Sequence, residues 1–219
     1  MVVNIQDASP AQLIEVGFSA AYQAQQAHHR RWRVVNKRLQ QIRGNETPHD
    51  AGDNDVYFDL ILRQMEDEHA QYIAKTGFPC HPDSRTRIQT QLTRYWVVSV
   101  GEMLRATRNG IESNPAIKAD MTELVDRFGA IRMMIAKQDM QVHKMHRPDT
   151  IMSAILVETK SGGQELSCER IETPIAYQVN PLINRETGSI CFPVYDPSGT
   201  IMRNDDRRGL SDLLLEEFS

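Results

Sequence analysis

The sequence predicts a mainly α protein, an antiparallel helical bundle followed by a small β-rich C-terminal segment. Three observations carry that expectation. Ile117, Met121, Leu124, Phe128, Ile131, Ile135, Val142 and Met145 keep alternating steps of four and three, interrupted only at Gln138. That is the seam of a helix packed nearly parallel or antiparallel to a neighbour. The same stepping runs through positions 14, 18, 21, 25, 28, 32, 35, 39 and 42. Beyond Pro148 the pattern changes to short apolar runs divided by turn signals such as Gly162-Gly163 and Asp196-Pro197-Ser198-Gly199.

The elements follow in order. Ser9-Pro10 is a helix start, with Ser9 as cap and Pro10 in the first turn, and the helix is expected to run unbroken to Arg43 and stop at Gly44. Such a helix would be about 50 Å long at 1.5 Å per residue, enough for a bundle spine or a dimer arm. A polar loop over 44–53 leads to a second helix, capped by Asp53 or Asn54 and ending near Gly77. Arg87–Glu112 and Ile117–His146 form a central hairpin around Ser113-Asn114-Pro115, and so short a connection implies antiparallel neighbours. Ile88, Leu92, Trp96, Val100, Met103 and Ile111 make the stripe of the first of these helices. Its apolar turn Tyr95–Val98 should be covered on more than one side. Ile151–Thr159, Ile175–Val179, Ser189–Tyr195 and Thr200–Arg203 are strand candidates, with Pro193 expected at an edge or a bulge, and Ser211–Phe218 is a terminal helix. A boundary near residue 150 divides a bundle domain, 1–150, from a β-rich appendage, 151–219.

Bulk properties narrow the function classes. The 219 residues carry a net charge of −4, with 40% hydrophobic and 25% charged residues. No overall positive field draws the chain to nucleic acid or anionic lipid, no apolar run is long enough for a membrane helix, and Met1–Pro10 lacks the features of a signal peptide. Cys80, Cys168 and Cys191 form neither a disulfide framework nor a zinc spacing. The expected setting is the cytoplasm, without cofactor or metal. Charge is nevertheless lopsided: residues 28–43 hold Arg30, Arg31, Arg33, Lys37, Arg38 and Arg43 and no acid, whereas residues 46–68 hold eight acids against Arg63 alone. The favoured reading is two faces lying side by side, the acidic segment covering the basic half-helix. RNA is admitted as a partner of that half-helix but not favoured.

Several constellations could carry chemistry. Glu66-Asp67-Glu68-His69 contains a Glu-x-x-His, but a carboxylate-bridged di-iron bundle needs two, so the segment reads as a solvated acidic face. Arg132, Asp139, His143 and His146 fall within roughly 60° on a helical wheel and border the seam. Arg132 and His143 are about 16 Å apart along the axis, too far to serve one atom. Arg94, Arg105 and Arg108 share a face with Glu102 beside them. Glu102 and Arg105 can pair at i, i+3, and guanidinium groups beside apolar surface serve ion pairs, interfaces or phosphates. His28 reads as a hydrogen-bonded core or interface histidine.

The central hairpin, with Arg132-Met133-Met134-Ile135-Ala136-Lys137 at its heart, resembles the HEPN superfamily. These are compact helical bundles that often dimerise, many of them RNases or RNA-binding partners in toxin–antitoxin and phage-defence systems. The family's catalytic pattern is an Arg followed after four to six residues by a His. Here Arg132 stands at the arginine, Lys137 where the histidine would be, and Met133 where a polar residue is common. Histidine supplies a base near neutral pH, and an ordinary lysine does not. Over residues 87–147 the resemblance therefore implies a bundle and a dimer more than RNase activity. The expected function is a non-catalytic helical interaction module, homo-oligomeric or with a protein partner. The alternative is an RNase-like or nucleotide-handling enzyme using Arg132, Lys137 and His143 for chemistry and Arg94, Glu102, Arg105 and Arg108 for an anion.

Overall fold

The structure is a computed structural model. It describes residues 8–43, 50–79, 81, 83–109, 111, 115–137, 151–158, 164–171, 182–195 and 201–219. The helices are α1 (Pro10–Ala24), α2 (Gln26–Arg43), α3 (Asp50–Thr76), α4 (Arg85–Asn109), α5 (Pro115–Lys137) and α6 (Arg207–Phe218), and the strands are β1 (Ile151–Glu158), β2 (Gln164–Ile171), β3 (Leu182–Ile183), β4 (Ile190–Tyr195) and β5 (Ile201–Asp206). The chain is mainly α, an antiparallel bundle with small antiparallel sheets, as its periodicity predicts.

The long N-terminal helix is two helices. Ser9 caps the first with a full capping box, its hydroxyl accepting from the Gln12 amide while Gln12 Oε1 accepts from the Ser9 amide. At Gln25 the backbone leaves helical geometry, φ −112° and ψ 28°, which separates α1 from α2. The amphipathic stripe survives in α2, where Trp32, Val35 and Leu39 are buried.

The hairpin α4–α5 packs as expected. Met121, Leu124, Phe128 and Ile131 are buried in α5, and Phe128 meets the Trp96 ring at 5.7 Å between centroids. A Cβ on Gly101 would lie 3.4 Å from Phe128, so the glycine lets the helices approach closely. The stripe of α4 differs from the expected one. Ile88 is half exposed and Tyr95 is 53% exposed, while Gln89, Thr93 and Thr107 are buried beside Trp96, Val97, Val100 and Leu104. Gln89 is held there by His69 of α3, and the Thr107 hydroxyl donates to the Met103 carbonyl of its own helix. The part of the second hairpin helix beyond Lys137, including Gln138, Val142 and Met145, lies outside the described residues.

The C-terminal segment packs on the bundle. One buried cluster contains Trp32, Leu60, Trp96 and Phe128 together with Ile190, Phe192, Leu210, Leu214, Leu215 and Phe218, so residues on both sides of position 150 share a core. β3, β4 and β5 form an antiparallel sheet in that order, and β1 pairs with β2 in a separate antiparallel ladder. β2 and β3 have no counterpart among the expected strands, and the candidate at 175–179 lies outside the described residues. Pro193 is on the central strand, opposite Asn204 of β5. Among the described residues β3 pairs with Cys191 and Ile190 and not with Pro193, whose described strand neighbour is β5.

Between β3 and β4 the chain turns on Asn184, whose Oδ1 accepts from the amides of Glu186 and Thr187. Gly188 completes the turn at φ +68°, and a Cβ there would stand 2.1 Å from the carbonyl oxygen of Glu66. Only glycine can lay this turn against the backbone of α3.

Candidate functional site

α3 carries a second four–three seam that an apolar search does not see. Asp55, Asp59, Leu62, Glu66, His69 and Ile73 keep the helical step, and all are buried. Glu66 and His69 are therefore core residues, which overturns their reading as a solvated acidic face. The reason is a set of cations and hydroxyls delivered from the other end of the chain.

Asp59 accepts from Trp32 Nε1 at 2.8 Å and Arg63 Nε at 2.9 Å on one oxygen, and from Ser211 Oγ at 2.7 Å and Arg207 Nη1 on the other. Glu66 accepts from Ser189 Oγ at 2.9 Å and from Arg207 Nε at 2.7 Å and Nη2. Arg63 continues to Ser211 Oγ and Asp212, and Arg208 ties Asp67 at 2.6 Å. Asp59, Arg63, Glu66 and Arg207 are at most 1% exposed. Two carboxylates and two guanidiniums cancel, and nearly every polar atom has a partner, which is what makes a buried charge cluster tolerable. The Arg207 guanidinium lies 5.2 Å from the Trp96 ring centroid. Burial alone would raise the Asp59 carboxyl, but Arg207 and Arg63 hold it at about 2. Burial pushes the Glu66 carboxyl up against the pull of Arg207. The Arg207 guanidinium loses by burial and gains more from Glu66 and Asp59, so it stays charged.

Local sequence contributes one essential device. Asp206 caps α6, its Oδ1 accepting from the Gly209 amide at 2.7 Å. Helix α6 therefore starts at Arg207, four residues before the expected start at Ser211, and Arg207 enters the core.

Three further polar groups sit beside this cluster. Gln89 Nε2 donates to the Gly188 carbonyl at 2.8 Å, which turns its Oε1 toward His69 Nδ1 at 2.9 Å. That oxygen only accepts, so His69 carries its proton on Nδ1; its Nε2 has no hydrogen-bond partner. Burial pushes the Asp55 carboxyl up to about 6, against a hydrogen bond with the Ser99 side chain that pulls it down. Burial, with Asp206 adding to it, pushes the Cys191 thiol up to about 12, so it is no nucleophile near neutral pH.

The residues singled out from sequence lie elsewhere. Arg105 and Arg132 meet on Glu102, with contacts of 2.6 Å and 2.5 Å from α4 and α5. Arg108 is 3.9 Å from Asp126. Arg94 is half-buried three turns away, with an Nε that has no hydrogen-bond partner. The structure thus brings Arg105, Arg132 and Glu102 together and keeps Arg94 apart. His143 and the side chain of Lys137 lie outside what is described. His28 is half-buried, its imidazole pushed down first by burial and then by Arg63. Glu46 and the side chains of Asp50 and Asp53 lie outside what is described, and the described acids of the segment do not all face the basic half-helix. Asp55, Asp59 and Glu66 point into the core, while Arg30, Arg33, Lys37 and Arg38 are exposed.

The surface carries a feature of opposite character. α1 buries Ala21 alone among its fifteen residues. Leu13, Ile14, Val16 and Tyr22 are 42%, 60%, 47% and 39% exposed. Phe18 touches the rings of Tyr57 and Phe58, and Phe58 stacks on Tyr95 at 4.9 Å. Tyr57 and Tyr95 are themselves exposed. One apolar and aromatic face therefore runs from α1 across α3 to α4.

Among the described residues no helix is long and apolar enough to cross a membrane, and no group of three or more His, Cys, Asp or Glu is placed to hold a metal ion. Compared with family models, with curated proteins and with solved structures, the chain matches none.

Proposed function

We propose that this protein is a non-catalytic helical interaction module of HEPN-like type, acting in the cytoplasm by presenting its α1–α3–α4 face to another polypeptide. The observation that carries the reading is α1 itself. A fifteen-residue helix with one buried side chain is marginal on its own, because the stability of short helices comes from packing an apolar face. Exposed apolar faces of this extent mark interaction sites. The buried charge cluster supports the same reading, since its carboxylates and guanidiniums are committed to one another.

The reading is tested by a photo-crosslinking amino acid placed at Ile14, with the exposed Glu216 position as control. Adducts with a polypeptide at Ile14 and none at the control support it. No adduct at Ile14 in cells producing the protein sinks it.

One observation favours the enzymatic alternative, an RNase-like or nucleotide-handling protein: Arg105 and Arg132 converge on one carboxylate. If that is an anion site, nucleoside monophosphate should bind, and Arg105→Ala with Arg132→Ala should abolish binding. Calorimetry showing no heat with the wild type removes the alternative.

A further inference from the structure

We infer that His69 and His81 form a site for a transition-metal ion of the class that imidazole binds, zinc or copper, where the chain passes from α3 to α4. The inference stands independently of the reading of the α1–α3–α4 face as an interaction surface.

The path of the chain brings the two rings together. His69 and Tyr72 are neighbours on one face of α3, three residues apart. The chain leaves α3 through Gly77 at φ 74°. It then lays the His81 ring against that face, 4.1 Å from the Tyr72 ring and 4.7 Å from the His69 ring between centroids. The His81 amide donates to Thr86 Oγ1 at 3.2 Å, which fixes His81 to the start of α4. His69 is 0% exposed and His81 7%.

Each ring keeps one nitrogen unused. Gln89 Oε1 holds the His69 proton on Nδ1, so His69 Nε2 is a bare lone pair. Among the described residues neither that atom nor the buried Nδ1 of His81 has a hydrogen-bond partner. Buried polar atoms are normally satisfied, so two such nitrogens on touching rings call for a common ligand. A metal-bound imidazole donates its other N–H to a carboxylate, carbonyl or water, which fixes the ring. Gln89 does this for His69 and is itself held by the Gly188 carbonyl at 2.8 Å. Zn–N bonds of about 2.0–2.1 Å put two imidazole centroids on one tetrahedral ion about 5 Å apart. The observed separation is 4.7 Å. Charge favours a cation as well. Glu68 and Asp83 are the acids whose charge reaches His81, and Arg85 is the opposing base. Asp83 pairs with Arg85 at 2.6 Å, whereas Glu68 accepts from the neutral Gln64 amide. Imidazole nitrogen suits zinc and copper and not the oxygen-seeking magnesium or calcium. Two protein ligands leave positions on the ion for water. An ion here ties the α3–α4 connection to α3, and through Gln89 to α4 and the β3–β4 turn.

The test is calorimetric titration of the full chain with zinc chloride, and with magnesium chloride as control. The wild type should bind one equivalent of zinc with a Kd of about ten micromolar or tighter, and no magnesium. His81→Ala removes a ligand from a connection outside the helices, so its circular dichroism should match the wild type while zinc binding weakens by about 100-fold or more. Gln89→Met should weaken it by about 10–100-fold, as the loss of a group that orients a ligand does. Electron paramagnetic resonance of the copper-loaded protein gives a second measurement that does not depend on any variant. The wild type should show nitrogen splitting from two imidazoles. The absence of zinc heat from the wild type, the result of a pocket that holds only water, overturns the inference. So does zinc binding that survives His81→Ala, which marks adventitious binding at the surface, or a copper spectrum without two imidazole nitrogens.

Discussion

Arg207→Met puts the buried charge cluster to its most direct test. The substitution keeps the length and apolar stem of the side chain and removes the charge. Asp59 would keep Trp32, Arg63 and Ser211 as donors. Glu66 would keep only the Ser189 hydroxyl as a hydrogen-bond donor, with Arg208 Nε 3.7 Å away. The loss therefore falls on Glu66, a carboxylate with no solvent exposure. Removing one partner of a buried ion pair costs about 3–5 kcal/mol, a large share of the roughly 5–15 kcal/mol that stabilises a domain. Burial already pushes Glu66 upward, and without Arg207 only the Ser189 hydroxyl and Arg208 oppose that push. An acid whose folded pKa lies above its unfolded value contributes stability at low pH and loses it as pH rises through the folded pKa. The variant should thus fall furthest below the wild type at pH 8 and least at pH 5. Asp55 titrates in both proteins and cancels in the difference. Urea denaturation followed by circular dichroism at the two pH values measures it, and adding Glu66→Gln to Arg207→Met should recover part of the loss at pH 8. A single variant within about 1 kcal/mol of the wild type at pH 8, below the range for broken buried pairs, would refute the argument. So would a double variant weaker than the single one.

Three further outcomes follow from the same geometry. Gly188→Ala should cost at least about 3 kcal/mol or prevent folding, since it combines positive φ with a backbone clash against Glu66; near-wild-type denaturation would mean that the turn does not rest on α3. Asp55→Asn should remove the pH dependence of a carboxyl raised from 3.8 to about 6. The variant should gain about 2–3 kcal/mol on the wild type between pH 4 and pH 8, and parallel stability–pH curves would contradict this. Phe128→Ala should cost about 3–5 kcal/mol by emptying the space between Trp96 and Gly101. A measured loss under about 1 kcal/mol, far below a core truncation, would place Phe128 outside the core.

The candidate site was only partly legible in the chain. Glu102 beside Arg105 at i, i+3 could be read directly, and the structure adds Arg132 from α5 to the same carboxylate. The α3 seam was written at positions 55, 59, 62, 66, 69 and 73, but three of its six residues are acids. Helical spacing alone does not distinguish a polar stripe facing water from one facing a hidden counter-charge.

What the sequence determined by itself is whatever short-range physics decides. Apolar period and capping set the helices of the bundle, including the Ser9 capping box and the α4–α5 hairpin. Change of period marked the β-rich C-terminal segment. Tertiary structure alone decided the break at Gln25, the start of α6 at Arg207, and the inward turn of Asp59 and Glu66. Arg207 lies 148 residues from Asp59 and 141 from Glu66. Burying a charge is unfavourable until its partner is in place, so the sense of those acids was fixed only when the far end of the chain had folded against them.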